Sequence, residues 1–200
     1  MSVKRASQLI DEFVAESHRV KAQFFQENRD RIARTAEIIA QGIRQGRKML
    51  LFGNGGSAAD AQHLAAEMIG RFGPNRAALP AIALSTDTSV LTAIGNDYGF
   101  ARIFARQIEA LGQQGDTAIG ISTSGNSPNV LEALDVARSR GLFTVGLTGE
   151  TGGQMNDRAE MLFRVPSRQT TRIQEAHIML GHIICELIDR ELFPEAYPSD

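Results

Sequence analysis

Five short apolar runs that alternate with helical stretches constrain this chain more than any other feature. They fall at residues 48–52, 81–85, 117–122, 143–147 and 161–165. Runs of four to six residues are strand-sized, and continuous apolar character without alternation marks strands buried on both faces. Alternation of such strands with helices predicts an α/β fold: a five-stranded parallel sheet flanked by helices in a three-layer sandwich. Helices are expected at residues 57–72, 101–111, from Ser127-Pro128 to Gly141, and at 171–192. Serine suits the N-cap, proline the first helical position, and glycine the C-terminal cap. The first 46 residues read as N-terminal helices. Leu9, Ile10, Phe13 and Val14, then Ile32, Ile38, Ile39 and Ile43, recur at helical spacing. The whole chain, 1–200, reads as a single domain, with 1–46 serving oligomerisation and 47–200 forming the core.

Ligands of open parallel sheets bind outside the carboxyl ends of the strands, so the loops after the first and third runs are the candidate sites. The first is Gly53-Asn54-Gly55-Gly56-Ser57. Glycines admit close approach and positive φ, and the following helix N-terminus favours an anion. Ser57 and Asp60 have capping-box spacing. An anion site and a plain strand-to-helix turn both fit this loop. The second loop, Ser122-Thr123-Ser124-Gly125-Asn126-Ser127, places four hydroxyls directly before a helix N-terminus. A serine cap accounts for Ser127 alone; a phosphate cradle accounts for the cluster. Neither loop is a Walker A or G-x-G-x-x-G sequence, so no dinucleotide site is supported.

His63 and Glu67 stand at i, i+4 on one helical face. They fit a shared metal ion, an acid–base pair, or a solvated pair. The last helix carries Gln174, Glu175, His177 and His182. Gln174 and His182 are eight residues apart, about 12 Å along the axis. His177 has no evident partner. His18 reads as a surface or packing residue, Arg172 as a phosphate contact or a surface residue, and Asn96-Asp97 as part of a turn.

Several classes are excluded or disfavoured by composition. Net charge is −2, which gives no electrostatic case for a nucleic-acid or membrane surface. No apolar run reaches membrane-spanning length, and residues 1–11 lack the apolar stretch of a signal peptide. Cys185 is the one cysteine, in keeping with a reducing compartment. The expected location is the cytoplasm.

Three segments resemble the signatures of the phosphoheptose isomerase family: Gly53-Asn54-Gly55-Gly56-Ser57, Ile121-Ser122-Thr123-Ser124-Gly125-Asn126-Ser127 and Arg172-Ile173-Gln174-Glu175. The likeness runs over about residues 30–193. It implies a sugar-isomerase (SIS) domain of the flavodoxin/Rossmann-like kind and a homotetramer. The implied reaction converts sedoheptulose 7-phosphate to D-glycero-D-manno-heptose 7-phosphate for bacterial envelope heptose. It also implies one zinc per subunit on His63, Glu67, Gln174 and His182. The implied sugar-phosphate contacts are Asn54, Gly55, Gly56, Glu67, Asn96, Asp97, Ser122, Thr123, Ser124, Ser127 and Gln174. Glu67 and His182 become the implied catalytic pair. A neighbouring family of the same fold consists of non-catalytic tetramers that bind the replication initiator DnaA. The tail Glu191-Leu192-Phe193-Pro194 resembles it, but that family looks to lack the acid and the histidine at positions 67 and 182.

Overall fold

In a computed structural model, which describes residues 1–197, the five runs become β1 (Met49–Gly53), β2 (Ala81–Ala83), β3 (Thr117–Ile121), β4 (Phe143–Thr148) and β5 (Met161–Arg164). The sheet is wholly parallel, in the order β2-β1-β3-β4-β5. The helices are α1 (Val3–Arg44), α2 (Gly56–Ile69), α3 (Thr88–Tyr98), α4 (Ala105–Leu111), α5 (Pro128–Ser139) and α6 (Thr170–Leu192). The chain winds one way from β1 to β2 and the other way from β1 to β3, so a switch point lies between β1 and β3.

The period-2 pleat sorts the strand side chains between two cores. Met49 and Leu51 of β1, with Ile119 and Ile121 of β3, face a core shared with α1, α2 and α6. Leu50 and Phe52 of β1, with Ala118 of β3, face a second core filled from α4 and α5. Every residue of β1 and β3 is buried, as their continuous apolar sequence requires.

Four sequence expectations change. The N-terminal region is one helix rather than several. Its 42 residues span about 63 Å at 1.5 Å per residue, and α1 packs along α6 through Val20, Phe24, Ile32 and Ile39. The helix α3 is an addition to the expected set. It is capped by the Asp87 carboxylate, which accepts from the Val90 N–H at 2.9 Å, and it buries no residue completely. Asn96 and Asp97 therefore occupy the last turn of a helix, not a loop turn. The expected helix at 101–111 is divided: a short 3-10 turn covers Phe100–Arg102 and α4 starts at Ala105.

Candidate functional site

The two loops meet at the switch point. Gly53 and Ile121, the last residues of β1 and β3, are paired in register, so the loops leaving the two strands emerge side by side. Gly55 is the N-cap of α2, with φ of 56°, a left-handed value that glycine adopts without strain. The helix therefore begins one residue earlier than expected, and Ser57 is buried inside its first turn. The Ser57–Asp60 capping box does not form, because neither side chain caps the helix.

The serine loop folds into a compact turn. The Gly125 N–H donates to the Ser122 carbonyl at 3.0 Å. The Ser122 hydroxyl lies 2.9 Å from that of Ser127 and 3.5 Å from that of Ser124. The Asn126 N–H donates to the Ser124 hydroxyl at 3.2 Å. Three hydroxyls thus converge before the N-terminus of α5, where backbone N–H groups lack intrahelical acceptors. Ser127 is the N-cap residue as expected, although its hydroxyl turns to Ser122 and makes no capping bond.

Asn54 and Asn129 form a reciprocal amide pair, each Nδ2 donating to the other's Oδ1, at 2.9 and 2.8 Å. Asn129 is buried in the first turn of α5. The pair joins the first loop to the helix behind the second, and sequence reasoning missed Asn129 entirely.

The structure brings together His63 and Glu67 of α2 with His182 of α6. Their ligand atoms all lie within 4.8 Å of one another. His63 Nε2 is 3.1 Å from Glu67 Oε1 and 3.3 Å from His182 Nε2. Ligand atoms of a tetrahedral zinc site with bonds of about 2.0–2.1 Å sit about 3.3–3.4 Å apart, close to the two separations from His63, so this donor set is of the kind and spacing that suits such an ion. Gly181 permits the close crossing of the two helices: a Cβ there would lie 2.5 Å from Leu64 Cδ1 and 3.0 Å from Leu64 Cγ. Phe72 packs against the His182 ring, at 5.6 Å between centroids.

Gln174, in the first turns of α6, lies away from the cluster, against the start of α2. Its amide packs against the Cα of Gly56, seven residues and about 10 Å of helix axis from His63. It faces the end of the first loop, where a substrate contact is expected. Asn96 and Asp97 are exposed, and among the described residues their side chains hydrogen-bond only to each other, at 2.8 Å.

Three other side chains take definite places. Asp60, one turn before His63, is half-buried with an unpartnered Oδ2, and burial raises its carboxyl above the usual range while His63 pulls the other way. His177 is fully buried, with Nε2 3.2 Å from the Thr148 carbonyl, and desolvation holds it down to about 4. It supports the strand end beside the serine loop and remains neutral. Arg172 is partly buried: it donates to the Phe13 carbonyl at 3.0 Å and pairs with Glu175, and its Nε has no partner among the described residues. His18 is exposed, in line with its surface reading.

Fold and site together define a doubly wound α/β domain with a glycine- and hydroxyl-lined cradle at its switch point beside a His/Glu/His cluster. The family model described as the SIS domain matches residues 12–149. A phosphoheptose isomerase of Geobacter sulfurreducens is 59% identical over 164 residues, covering 82% of this chain and 87% of that protein. One from Nitratidesulfovibrio vulgaris is 52% identical over 94% of this chain and 90% of its own length. Among solved structures, the phosphoheptose isomerase of Neisseria gonorrhoeae superposes with a TM-score of 0.85 at 46% identity, covering 92% of this chain and 98% of that one. That of Francisella tularensis gives 0.88 at 35% identity, covering 95% and 100%. The chain belongs to the phosphoheptose isomerase family of SIS-domain proteins.

Proposed function

We propose that this chain is a zinc-dependent aldose–ketose isomerase that converts sedoheptulose 7-phosphate to D-glycero-D-manno-heptose 7-phosphate for bacterial envelope heptose. The observation that carries the reading is the His63, Glu67 and His182 cluster, two members of which stand on the helix that starts at the first anion loop. The serine hydroxyls and the two helix N-termini hold the phosphate. About 10 Å of α2 separates Gly56 from His63, which suits a substrate whose phosphate and reacting carbons lie at opposite ends. Anchoring the far end aligns the reacting carbons and makes the step effectively unimolecular.

Glu67 removes the proton next to the carbonyl and returns it to the neighbouring carbon, passing through a cis-enediol. His182 moves the proton between the two oxygens, acting as acid and then as base. A zinc ion on His63, Glu67 and His182 would supply Lewis-acid stabilisation of the oxygen that gains charge. Gln174 contacts substrate from Gly56, and it joins the metal set only on leaving that place.

The working unit we propose is a cytoplasmic homotetramer. Ile10, Phe13 and Val14 of α1 and Met179 of α6 are exposed apolar residues, and a groove of about 840 Å³ between α1 and α6 is lined by Phe25, Ile32, Ile183 and Leu187. Such a stripe favours burial against sister subunits. Among the described residues no helix is long and apolar enough to cross a membrane. The initiator-binding reading is not favoured. Glu67 and His182 are both present, and the tail serves the chain's own fold: Glu191 pairs with Arg44 at 2.9 Å, and Phe193 lies under Arg76.

Purified protein, stripped with a chelator, tests the function through turnover of sedoheptulose 7-phosphate with and without zinc. Zinc-dependent formation of the aldose is expected. A folded protein inactive in both conditions refutes the isomerase reading. Glu67→Gln and His182→Gln are each expected to abolish turnover with the assembly intact, and wild-type rates in either refute the assigned roles.

A further inference from the structure

Arg76 and Asp189 form an ion pair at 2.9 Å whose side chains are 1% and 0% exposed. Arg76 lies in the segment after α2, and its guanidinium does much more than neutralise Asp189. Nη2 donates to the Glu67 carbonyl at 2.9 Å, and Nη1 donates to the carbonyls of Met68 at 2.8 Å and Ala77 at 2.9 Å. The last carbonyls of a helix have no intrahelical donors and carry its negative dipole end. Arg76 satisfies those of Glu67 and Met68, and it grips the backbone of the proposed base itself.

Asp189 anchors this grip to α6. It lies seven residues beyond His182, two turns along the same face. Between them in sequence lies Cys185, buried in the core that α2 and α6 share. The two helices are thus fixed at two points: the Gly181–Leu64 contact on one side of the His/Glu/His cluster and the Arg76–Asp189 pair on the other. The cluster takes two members from α2 and one from α6, so its geometry depends on how these helices sit against each other.

We infer that Arg76, held by Asp189, is a positioning residue of the isomerase site: it sets Glu67 and His63 against His182 from behind the backbone. The inference rests on the metal and isomerase reading of that cluster. A buried ion pair is not needed for stability as such, since apolar replacements of similar volume are often neutral. What the pair does here is aim an arginine fork at the Glu67 carbonyl. Lysine, a single point charge, cannot reproduce the fork.

The test compares wild type, Arg76→Lys and the double variant Arg76→Met/Asp189→Leu. The readouts are zinc affinity by competition with a chromophoric chelator, kcat and KM, and the thermal midpoint. Supports behind metal ligands typically matter by about 10–100-fold, so Arg76→Lys is expected to lose about that factor in zinc affinity and in kcat. KM is expected to hold within about twofold, because the phosphate loops lie at the other end of α2. The double variant is expected to recover the thermal midpoint without recovering zinc affinity or kcat. Recovery of all three makes the pair merely structural and overturns the inference. So does a folded Arg76→Lys protein with wild-type zinc affinity and kcat, or a rise confined to KM. A wild-type protein that neither binds zinc nor turns over refutes the isomerase reading itself, and the clamp with it.

Discussion

Replacing Gly181 by alanine drives a wedge into the α2–α6 crossing. The added Cβ would stand 2.5 Å from Leu64 Cδ1 and 3.0 Å from Leu64 Cγ, where carbon atoms ordinarily sit about 3.5–4.0 Å apart. Leu64 is 3% exposed and packed in the core, so it has little room to swing aside. Either it leaves its rotamer or the helices part by about 1 Å, at a cost of about 1–3 kcal/mol. The two contacts in the cluster respond differently. His63 and Glu67 share α2, and their 3.1 Å separation is preserved. The 3.3 Å gap from His63 to His182 crosses the seam and widens to about 4.3 Å. Metal sites tolerate deviations of only about 0.2 Å. We expect zinc affinity to fall about 10–100-fold and the thermal midpoint to fall about 2–4 °C for each kcal/mol lost. Leu64→Ala alone leaves a cavity costing about 2–5 kcal/mol. Combined with Gly181→Ala it accommodates the new methyl, so the double variant is expected to be less destabilised than the sum of the two. Calorimetry and chelator competition on the four proteins complete the cycle. Wild-type zinc affinity and stability in Gly181→Ala, or strict additivity in the double variant, refute the reasoning.

The site leads to three more expected outcomes. Asn129→Ala removes the amide partner of Asn54; KM is expected to rise severalfold with kcat nearly unchanged, at a stability cost of about 1 kcal/mol, and a fall confined to kcat contradicts the loop-bridging role. Ser124→Ala takes a hydroxyl from the serine loop, and since bonds to charged groups are worth about 1.5–3 kcal/mol, KM should rise about tenfold or more; an unchanged KM counts against the cradle. His177 titrates at about 4 in the folded chain and near about 6.5 unfolded. Between these values the unfolded chain binds more protons, so stability falls as pH drops from about 6.5 to 4, by about 3 kcal/mol in all. In His177→Gln, urea midpoints across that window should lose most of this slope, and an unchanged slope refutes the assignment.

The sheet was legible in the sequence because strands buried on both faces must be apolar throughout, and the loops that end β1 and β3 stand out as glycine and serine clusters. The helix α3 was not. Its segment, residues 88–98, contains Thr, Ser, Val and Gly, which weaken helix propensity, and it has no fully buried face to impose a period. Asp87, whose carboxylate caps it, is a residue type suited to an N-cap, but a cap residue without a periodic stretch behind it does not mark a helix. Spacing gave His63 and Glu67 as a pair, but His182 joins them only through a crossing that depends on Gly181 and Leu64. Its role came from family resemblance. Asn129 and the Arg76–Asp189 pair were invisible for the same reason: each partner lies 75 or 113 residues away, and no local pattern links them.

Cys185 gives the molecule a reporter of its own. Its thiol is buried at the seam behind the cluster and is pushed up to about 12, chiefly by desolvation with Asp189 and Glu67 adding to it. Thiolate is the reactive form, so a closed seam conceals the sulfur from alkylating reagents. Each labelling event therefore records an excursion in which α6 lifts from α2. Because labelling consumes the open population, its rate reads the free energy of that local opening, and a metal ion bridging the two helices should slow it in proportion to how tightly it is held.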